Sequence, residues 1–469
     1  MRKIPGGAKL AALLMMMMQA VAPGSAQADE LSDLKADVAA MKAAYAQKIA
    51  ALESRIQQLE TQASAAAALA QAPAPEAAAP PPPPPAGGGG QTAFNPAVSV
   101  ILAGNYSNLS QDPGTYRIAG FMTSPEIGPG ERSFNLGESE LTFAANVDPY
   151  FFANLTASIG ADDSIHAEEA YFKTLSLPAG LLLKGGRFFS GIGYLNEIHA
   201  HAWDFIDQPL VYQAFLGGQY ATDGAQLKWI APTDLLLEFG AETGNGRAFP
   251  GTGRNANGMN ATALFVHAGS DLGDAASWRA GVSWLDQRAR DRAFDSVDAS
   301  GASVVDAFSG RSRLWGADFI LKWAPHGDST LRSFKFQAEY LQRRETGSLA
   351  FDTLGADLIG DYRSTQSGWY AQAVYQFRQR WRAGLRYDSL HSGDPDIGLI
   401  ASRRLVADEF TDLSRASPDR LSLMLDYSLS EFSRLRLQYA YDEARRAERD
   451  HQVFLQYLYS IGAHGAHKF

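Results

Sequence analysis

Apolar and polar residues alternate in segment after segment between residues 94 and 469, and this two-residue period constrains the fold more than any other feature. In residues 421–429, leucine or tyrosine fills the odd positions and mostly polar residues fill the even ones. A period of two places the two sets on opposite faces of a β-strand. The same pattern in residues 334–340, 381–387 and 435–441 predicts an all-β domain.

The connections between these segments alternate in length. Short turns, such as those at Asp148-Pro149 and at residues 378–380, separate longer connections. The longer connections are residues 110–132, 161–165, 190–216, 244–258, 290–311, 346–365, 391–417 and 443–450. Alternating short and long connections, with aromatic residues near the segment ends, are typical of outer-membrane barrels. We therefore predict a transmembrane antiparallel β-barrel of about 16 strands over residues 94–469, rather than strands that cover a soluble core.

The N-terminus has the three parts of a secretory signal peptide. Arg2 and Lys3 precede an apolar stretch at residues 10–22, and Ala26-Gln27-Ala28 supplies a cleavage site of small residues. The apolar stretch is too short to span a membrane as a helix. We therefore expect residues 1–28 to direct export of the chain.

Two further segments separate this signal from the barrel. Residues 29–62 carry apolar residues at steps of three and four, which predicts a coiled-coil helix and oligomerisation. The alternative is a lone amphipathic helix that lies on the barrel or on another surface. Residues 63–93 contain a run of six prolines followed by four glycines. That composition predicts a stiff spacer and a hinge without a packed core.

The composition limits the chemistry of the chain. It has no cysteine, which excludes disulfides, thiolate metal sites and cysteine nucleophiles. The formal charge of −10 disfavours nucleic acid as a partner. The sequence has no Gly-x-Ser-x-Gly motif and no convincing Ser/His/Asp set, so we do not expect an enzyme.

A barrel of this size is wide enough for a water-filled lumen, and the connection at residues 190–216 is the candidate constriction. It is too apolar for a loop in solvent, so we expect it to fold into the lumen. The alternative is packing on the rim or at a subunit interface. The candidate constriction residues are His199, His201, Trp203, Asp204 and Asp207. Passive diffusion is then the default mechanism, with selectivity set by pore radius and charge.

The odd or even position of a residue within its strand, which we call strand parity, assigns several charged residues to the lumen face. The acidic candidate, Glu140, lies in an early strand, whereas the basic candidates lie in later strands. These basic candidates are Lys322, Lys335, Arg382, Arg386 and Arg436. Their separation from Glu140 predicts a transverse electric field across the pore.

Histidines are concentrated in two short clusters. His199 and His201, together with Asp204, form one set of candidate metal ligands, and His464 and His467 near the C-terminus form the other. Imidazole and carboxylate groups suit zinc and similar divalent ions. The alternative is ordinary hydrogen-bonding histidine in a polar lumen. We expect no resident cofactor, and zinc is a candidate for a bound or transported ion.

Five segments resemble a family of proteobacterial outer-membrane β-barrels. They are FNPA at residues 94–97, LGESEL at 136–141, GRFFSGIGY at 186–194, HAHAWDF at 199–205 and GAHGAHKF at 462–469. Some members of this family carry the label zinc-regulated outer-membrane receptor. The order of coiled coil and barrel also resembles phosphate-selective porins. Phe469, a terminal aromatic residue on the last strand, resembles the signal that the outer-membrane assembly machinery reads.

These patterns and resemblances predict a porin-like outer-membrane channel. Its expected role is passive or weakly selective uptake of small hydrophilic solutes or ions, with zinc among the candidates. We expect a homotrimer in outer-membrane lipid, with the N-terminal helix in the periplasm and no nucleic-acid partner. The alternatives are a structural tether that links the membrane to the periplasm or cell wall through the coiled coil, and a gated receptor.

Overall fold

A computed structural model describes residues 96–160, 164–252 and 256–462 of the chain. The expected signal peptide (1–28), coiled-coil helix (29–62) and linker (63–93) lie outside these residues. His464, His467 and Phe469 also lie outside them, so the second histidine cluster and the assembly signal have no structural description.

Eighteen strands pair antiparallel in one sheet within the described residues. They are β1 Ala97–Leu109, β2 Ser133–Leu136, β3 Ser139–Asn146, β4 Phe151–Ile159, β5 Ile165–Thr174, β6 Leu181–Phe189, β7 Ala221–Ile230, β8 Leu236–Gly244, β9 Ala261–Leu272, β10 Ala276–Val297, β11 Ser303–Trp323, β12 Ser333–Phe351, β13 Leu358–Arg378, β14 Trp381–His391, β15 Asp396–Ile397, β16 Asp419–Ser430, β17 Ser433–Asp442 and β18 Asp450–Gly462. Two short α-helices, α1 Leu210–Leu216 and α2 Gly398–Ala401, lie in connections. Short 3₁₀ helices lie at Pro113–Thr115, Pro178–Gly180, Leu195–Glu197, Ala200–Ala202, Pro325–Gly327 and Ala407–Leu413.

The sheet closes on itself because β1 pairs with β18. Strands β2 and β3 follow one another along β1, and the two-residue β15 adds only to β13. The wall is therefore a closed antiparallel barrel of 16 strands, which confirms the expected count. Ser99 pairs with Gly462, so both ends of the barrel lie at the same rim. We call this the turn rim, because the short turn at residues 431–432 lies there, and the opposite rim the loop rim.

An apolar band surrounds the barrel, and β11 shows its limits. Trp315, Phe319 and Trp323 point outward and are exposed. The outward positions beyond Trp315, toward the loop rim, are Arg311 and Arg313, both of which approach Asp286. The eight residue steps from Trp315 to Trp323 span about 26 Å of strand. A tilted apolar band of that length, bordered by tryptophans, matches the hydrocarbon core of an outer membrane.

Two expected loops are in fact extended strands. The sequence analysis assigned residues 290–311 and 346–365 to long loops. In the structure β10 and β11 are 22 and 21 residues long, so only residues 298–302 connect them. Strands β12 and β13 likewise continue to Phe351 and from Leu358. Beyond the apolar band the outward face of these hairpins is mostly polar, and apolar residues such as Phe308, Leu349 and Tyr362 lie on the inward face, so the alternation does not continue in phase.

None of the helices among the described residues is long and apolar enough to span a membrane.

A charge on the apolar band should destabilise the barrel. Leu423 faces outward in the middle of β16, between Leu385 and Tyr439. Leu423→Lys should lower the free energy of unfolding in lipid vesicles by about 2–4 kcal/mol, because the ammonium would face hydrocarbon. Leu354→Lys is the control, since Leu354 is exposed in the β12–β13 connection and should change stability by less than about 0.5 kcal/mol. Equal losses in the two variants in denaturant titrations would contradict the band.

Candidate functional site in the barrel lumen

The connection between β6 and β7, residues 190–220, lies inside the barrel; we call it the lumen loop. At its start, Ser190 Oγ and the Gly191 amide donate to Glu242 on β8, at 2.5 and 2.8 Å. Farther along, the Tyr194 and Leu195 amides donate to Glu339 on β12. The loop therefore crosses from one part of the wall to another.

The apolar residues of the lumen loop form a packed core with inward side chains of the wall. From the loop this lumen core includes Ile192, Leu195, Trp203, Leu210, Val211, Tyr212, Ala214, Phe215, Leu216 and Tyr220. From the wall it includes Ala263, Phe265, Leu285, Leu314, Leu341, Tyr370 and Leu390. The expectation of a simply water-filled lumen is therefore wrong. The strand count sets the width of the barrel, but it does not reveal whether a loop fills that width.

The short helix α1 of the lumen loop is held at both ends by the wall. Its first amide, on Leu210, donates to Asp388 on β14 at 2.9 Å. Near its other end, Arg343 on β12 donates to the Ala214 carbonyl at 3.1 Å. A carboxylate at the amide end and a cation at the carbonyl end complement the unpaired groups and dipole of a helix. Gly217 ends the helix with φ 67°, a left-handed conformation that glycine adopts without strain.

Asp204 of the lumen loop binds cations of the later strands. It forms ion pairs with Lys335 on β12 and with Arg382 on β14, the latter at 3.2 Å. Burial would raise the pKa of Asp204, but Lys335 and Arg382 hold it far below its usual range. This corrects the assignment of Asp204 as a metal ligand beside His199 and His201, because the Asp204 carboxylate faces the basic part of the wall. Sequence proximity misled here, because the chain turns between the histidines and the aspartate.

Asp207 binds two arginines that are almost completely buried. Arg386 Nη2 and Arg420 Nη1 lie 2.9 and 2.7 Å from its two carboxylate oxygens. Gln438 donates a further hydrogen bond at 2.6 Å. Burial would raise the pKa of Asp207, but the two guanidinium groups lower it. We call Asp204 and Asp207, with the cations that bind them, the aspartate latch.

The two histidines of the lumen loop face acidic residues of the early strands. His201 Nδ1 lies 2.6 Å from Glu140 Oε1 on β3. His199 Nδ1 lies 3.2 Å from Glu140 and 3.2 Å from Glu168, and its Nε2 lies 3.1 Å from Glu169. Burial lowers the pKa of His199, but these three carboxylates raise it well above its usual value. We call these five residues the histidine–glutamate cluster.

A β-bulge brings Glu168 and Glu169 into the cluster together. Thr156 pairs with Glu169 and Ala157 pairs with Ala167, so Glu168 is the extra residue on β5. A bulge re-aims side chains that strict alternation would send to opposite faces. The sequence analysis named neither residue, and strict alternation would place only one of the two on the lumen face.

Trp203 is a hydrogen-bonding residue of the lumen loop, and Lys322 lines a neighbouring cavity. The buried Trp203 ring donates to the Ile198 carbonyl at 2.7 Å, while the Trp203 carbonyl accepts from Arg436. Lys322 lines a cavity near the turn rim. His464 and His467 lie outside the described residues.

The expected transverse field needs correction. Arg386 and Arg436 are 1% exposed and do not line an open pore. Arg386 pairs with Asp388 and Asp207, and Arg436 approaches Asp426. Arg382 bridges Asp204 and Asp426. Strand parity identifies the face of a charge, but it does not identify partners that come from other strands or from the loop.

Glu339 is a positioning residue that the sequence analysis missed. Besides the two loop amides, it accepts hydrogen bonds from Tyr212 and Tyr370 at 2.8 and 2.6 Å. Asp388 and Arg420 were missed for the same reason, since each looks like an ordinary inward residue of a strand. The only available signal was their polar character at a lumen-facing position.

Three cavities border the lumen loop and lumen core. One of about 640 Å³ opens among residues 113–127 and Arg445 on the loop-rim side. Two lie toward the turn rim: one of about 500 Å³ next to His201, and one of about 560 Å³ next to Asp204. Two of the candidate constriction residues, His201 and Asp204, thus line cavities on the turn-rim side.

Sequence comparison places the chain in a family. It is 32% identical over 408 residues to a protein of Aquifex aeolicus (strain VF5) described as uncharacterised, and the match covers 81% of each chain. The chain belongs to the family of this Aquifex protein. No protein-family model matches the chain. Because the relative's name states no activity, membership alone assigns none.

Solved structures of outer-membrane proteins resemble this barrel only with TM-scores below 0.5. A loop-deletion mutant of OmpT from Vibrio cholerae matches with a TM-score of 0.49 at 9% identity, over 79% of this chain and all of that one. The channel DcaP of Acinetobacter baumannii matches with 0.45 at 12% identity, over 78% and 96%. The anion-selective porin of Comamonas acidovorans matches with 0.45 at 10% identity, over 78% and 99%. At these scores the fold assignment rests on this chain's own strand pairing.

Removal of one latch carboxylate should loosen the lumen loop. Asp207→Asn removes one of the negative charges that compensate Arg386 and Arg420. Breaking a buried ion pair lowers the free energy of unfolding by about 3–5 kcal/mol. Asp388 still faces both arginines, so we expect the lower end of that range. Hydrogen exchange of the amides of residues 194–216, measured by mass spectrometry, should accelerate accordingly.

The matched control is Asp394→Asn. Asp394 forms an exposed ion pair with Arg415, and exposed pairs contribute little. Exchange in the lumen loop should be unchanged in this variant. Unchanged exchange in Asp207→Asn as well would show that the latch does not hold the loop.

Proposed function

We propose that the protein is a porin-like channel of the bacterial outer membrane whose passage is narrowed by the lumen loop. The observation that carries the proposal is a closed barrel with an apolar outer band and a charged loop fixed inside it. A closed barrel satisfies every backbone group in hydrocarbon. A loop inside such a barrel sets the size and charge of the passage.

The polar groups near the turn rim favour small hydrophilic solutes or ions. Lys335, Arg382 and Asp204 line the cavity of about 560 Å³, and His201 and Arg434 line the other. These side chains can pair with charged or hydrogen-bonding solutes. The lumen core between these cavities and the loop rim implies a narrow passage and a low conductance at rest.

The remaining expectations describe the cellular setting of this channel. Residues 1–28 would direct export, residues 29–62 would assemble a homotrimer in the periplasm, and residues 63–93 would link them to the barrel at 94–469. Phe469 would be read by the outer-membrane assembly machinery, and outer-membrane lipid would surround the apolar band. Zinc is one candidate solute.

Single-channel conductance tests this function. The purified mature protein in a planar bilayer should show small conductance steps. A variant with residues 195–216 replaced by a short glycine–serine linker should conduct at least several-fold more, because the lumen core loses its loop half. The control variant shortens residues 298–302, which connect β10 and β11 away from the lumen loop, and should conduct like the wild type.

Folding of each variant is checked by its heat-dependent migration on gels. A folded loop-shortened variant that conducts no more than the wild type would contradict a passage limited by the loop.

A further inference from the structure

Two carboxylates of the histidine–glutamate cluster converge on one ring nitrogen of His199. His199 Nδ1 is 3.2 Å from Glu140 Oε2 and 3.2 Å from Glu168 Oε2. One ligand atom from each of the three residues lies within 4.8 Å of the other two. An imidazole nitrogen carries at most one proton, so it cannot donate a full hydrogen bond to both carboxylates. A metal ion, unlike a single proton, can bind Glu140, Glu168 and His199 at the same time.

The distances favour a metal ion over a proton in this position. Charge-assisted N–H···O bonds are about 2.7–2.9 Å long, and the two separations at His199 Nδ1 exceed that range. Zinc binds nitrogen and oxygen at about 2.0–2.2 Å, so neighbouring ligands of a tetrahedral site lie roughly 3.3–3.6 Å apart. The observed separations are nearer to the spacing of ligands around one ion.

The neighbouring groups orient these ligands. Glu169 lies 3.1 Å from His199 Nε2, the other ring nitrogen. A carboxylate there holds the proton on Nε2 and leaves the Nδ1 lone pair for a metal, as in most metal-binding histidines. His201 Nδ1 lies 2.6 Å from Glu140 and fixes that carboxylate. The cluster therefore contains both the ligands and the partners that position them.

The charge of the cluster also favours a cation. Glu138 hydrogen-bonds with Glu168, and a bond between two carboxyl groups needs a proton on one of them. The other three carboxylates and the two imidazoles carry a formal charge of −1 even when both imidazoles are protonated. A divalent ion that replaces the proton of His199 Nδ1 would bring this formal charge to zero.

We propose that Glu140, Glu168 and His199 bind a divalent transition-metal ion at the seam between the lumen loop and strands β3 and β5. A nitrogen ligand beside carboxylates suits zinc, cobalt or manganese, whereas magnesium and calcium prefer oxygen ligands. The ion fastens the histidine end of the loop to the wall, as the aspartate latch fastens the other part. This binding does not rest on the channel function, because a barrel that does not conduct can still bind the ion.

An ion can approach from the turn-rim side. The cavity of about 500 Å³ is lined by His201, whose ring stacks at 5.8 Å from that of His199. Glu168 and His199 are only partly buried. The site therefore borders space from which an ion can enter, as a functional metal site requires.

Metal titration of the mature protein tests the proposal. Zn²⁺ is titrated in competition with a chromophoric chelator, and Co²⁺ is followed by its visible absorption bands. We expect one tightly bound ion per chain and a preference for Zn²⁺ over Mg²⁺. His199→Ala and Glu168→Gln should abolish tight binding. Glu169→Gln should weaken it roughly 10–100-fold, because Glu169 only orients His199.

Two controls separate this site from other histidines. His166→Ala removes an exposed histidine on the same strand as Glu168, and His464→Ala/His467→Ala removes the C-terminal pair. Both variants should bind like the wild type. Heat-dependent gel migration establishes that each variant is folded.

Two results would overturn the proposal. Absence of saturable binding in the wild type would mean that the carboxylates hold an imidazolium instead. Tight binding that survives in folded His199→Ala and disappears in the C-terminal double variant would place the ion elsewhere. Neither result depends on the conductance of the barrel, so failure of this site and failure of the proposed channel remain distinguishable.

Discussion

The pairing of β1 with β18 closes the sheet, and the rest of the structure depends on that closure. In apolar surroundings an unpaired strand edge would leave backbone groups without partners, and closure removes every edge. Closure at 16 strands also creates a lumen that side chains of the wall alone do not fill. The apolar half of the lumen loop, with α1 at its centre, occupies that space.

The charges of the lumen loop match those of the wall that each part of it faces. Its histidines meet carboxylates on β3 and β5, and its aspartates meet cations on β12, β14 and β16. A reversed loop would place imidazoles against guanidinium groups. Because a buried charge without a partner is costly, this complementarity selects one placement of the loop. The proposed constriction and the proposed metal site both follow from that placement.

Alternation in the sequence predicted the barrel and its strand count, because one face of each strand must be apolar. It failed at residues 290–311, where the strands leave the apolar band, the outward face becomes polar and apolar residues such as Phe308 lie on the inward face. The apolar content of residues 190–216 indicated burial, although no local pattern showed how completely the loop fills the lumen. Glu168 could not be assigned by parity, because a bulge shifts the register. Asp204 was grouped with His201 by proximity in sequence, whereas partners from distant strands separate them.

The most direct test of the account is a disulfide between the lumen loop and the wall. The chain has no cysteine, so two introduced cysteines report only on each other. A Cβ atom at Gly368 on β13 would lie 3.3 Å from Val211 Cγ2 in α1, a position that the sulfur of a cysteine at residue 211 can take, and the end of the Leu390 side chain would have to turn away from that Cβ. Folded Val211→Cys/Gly368→Cys should form the bond upon oxidation in membranes, whereas Val211→Cys/Leu354→Cys should not. A folded Val211/Gly368 pair that stays reduced would contradict a loop packed inside the barrel.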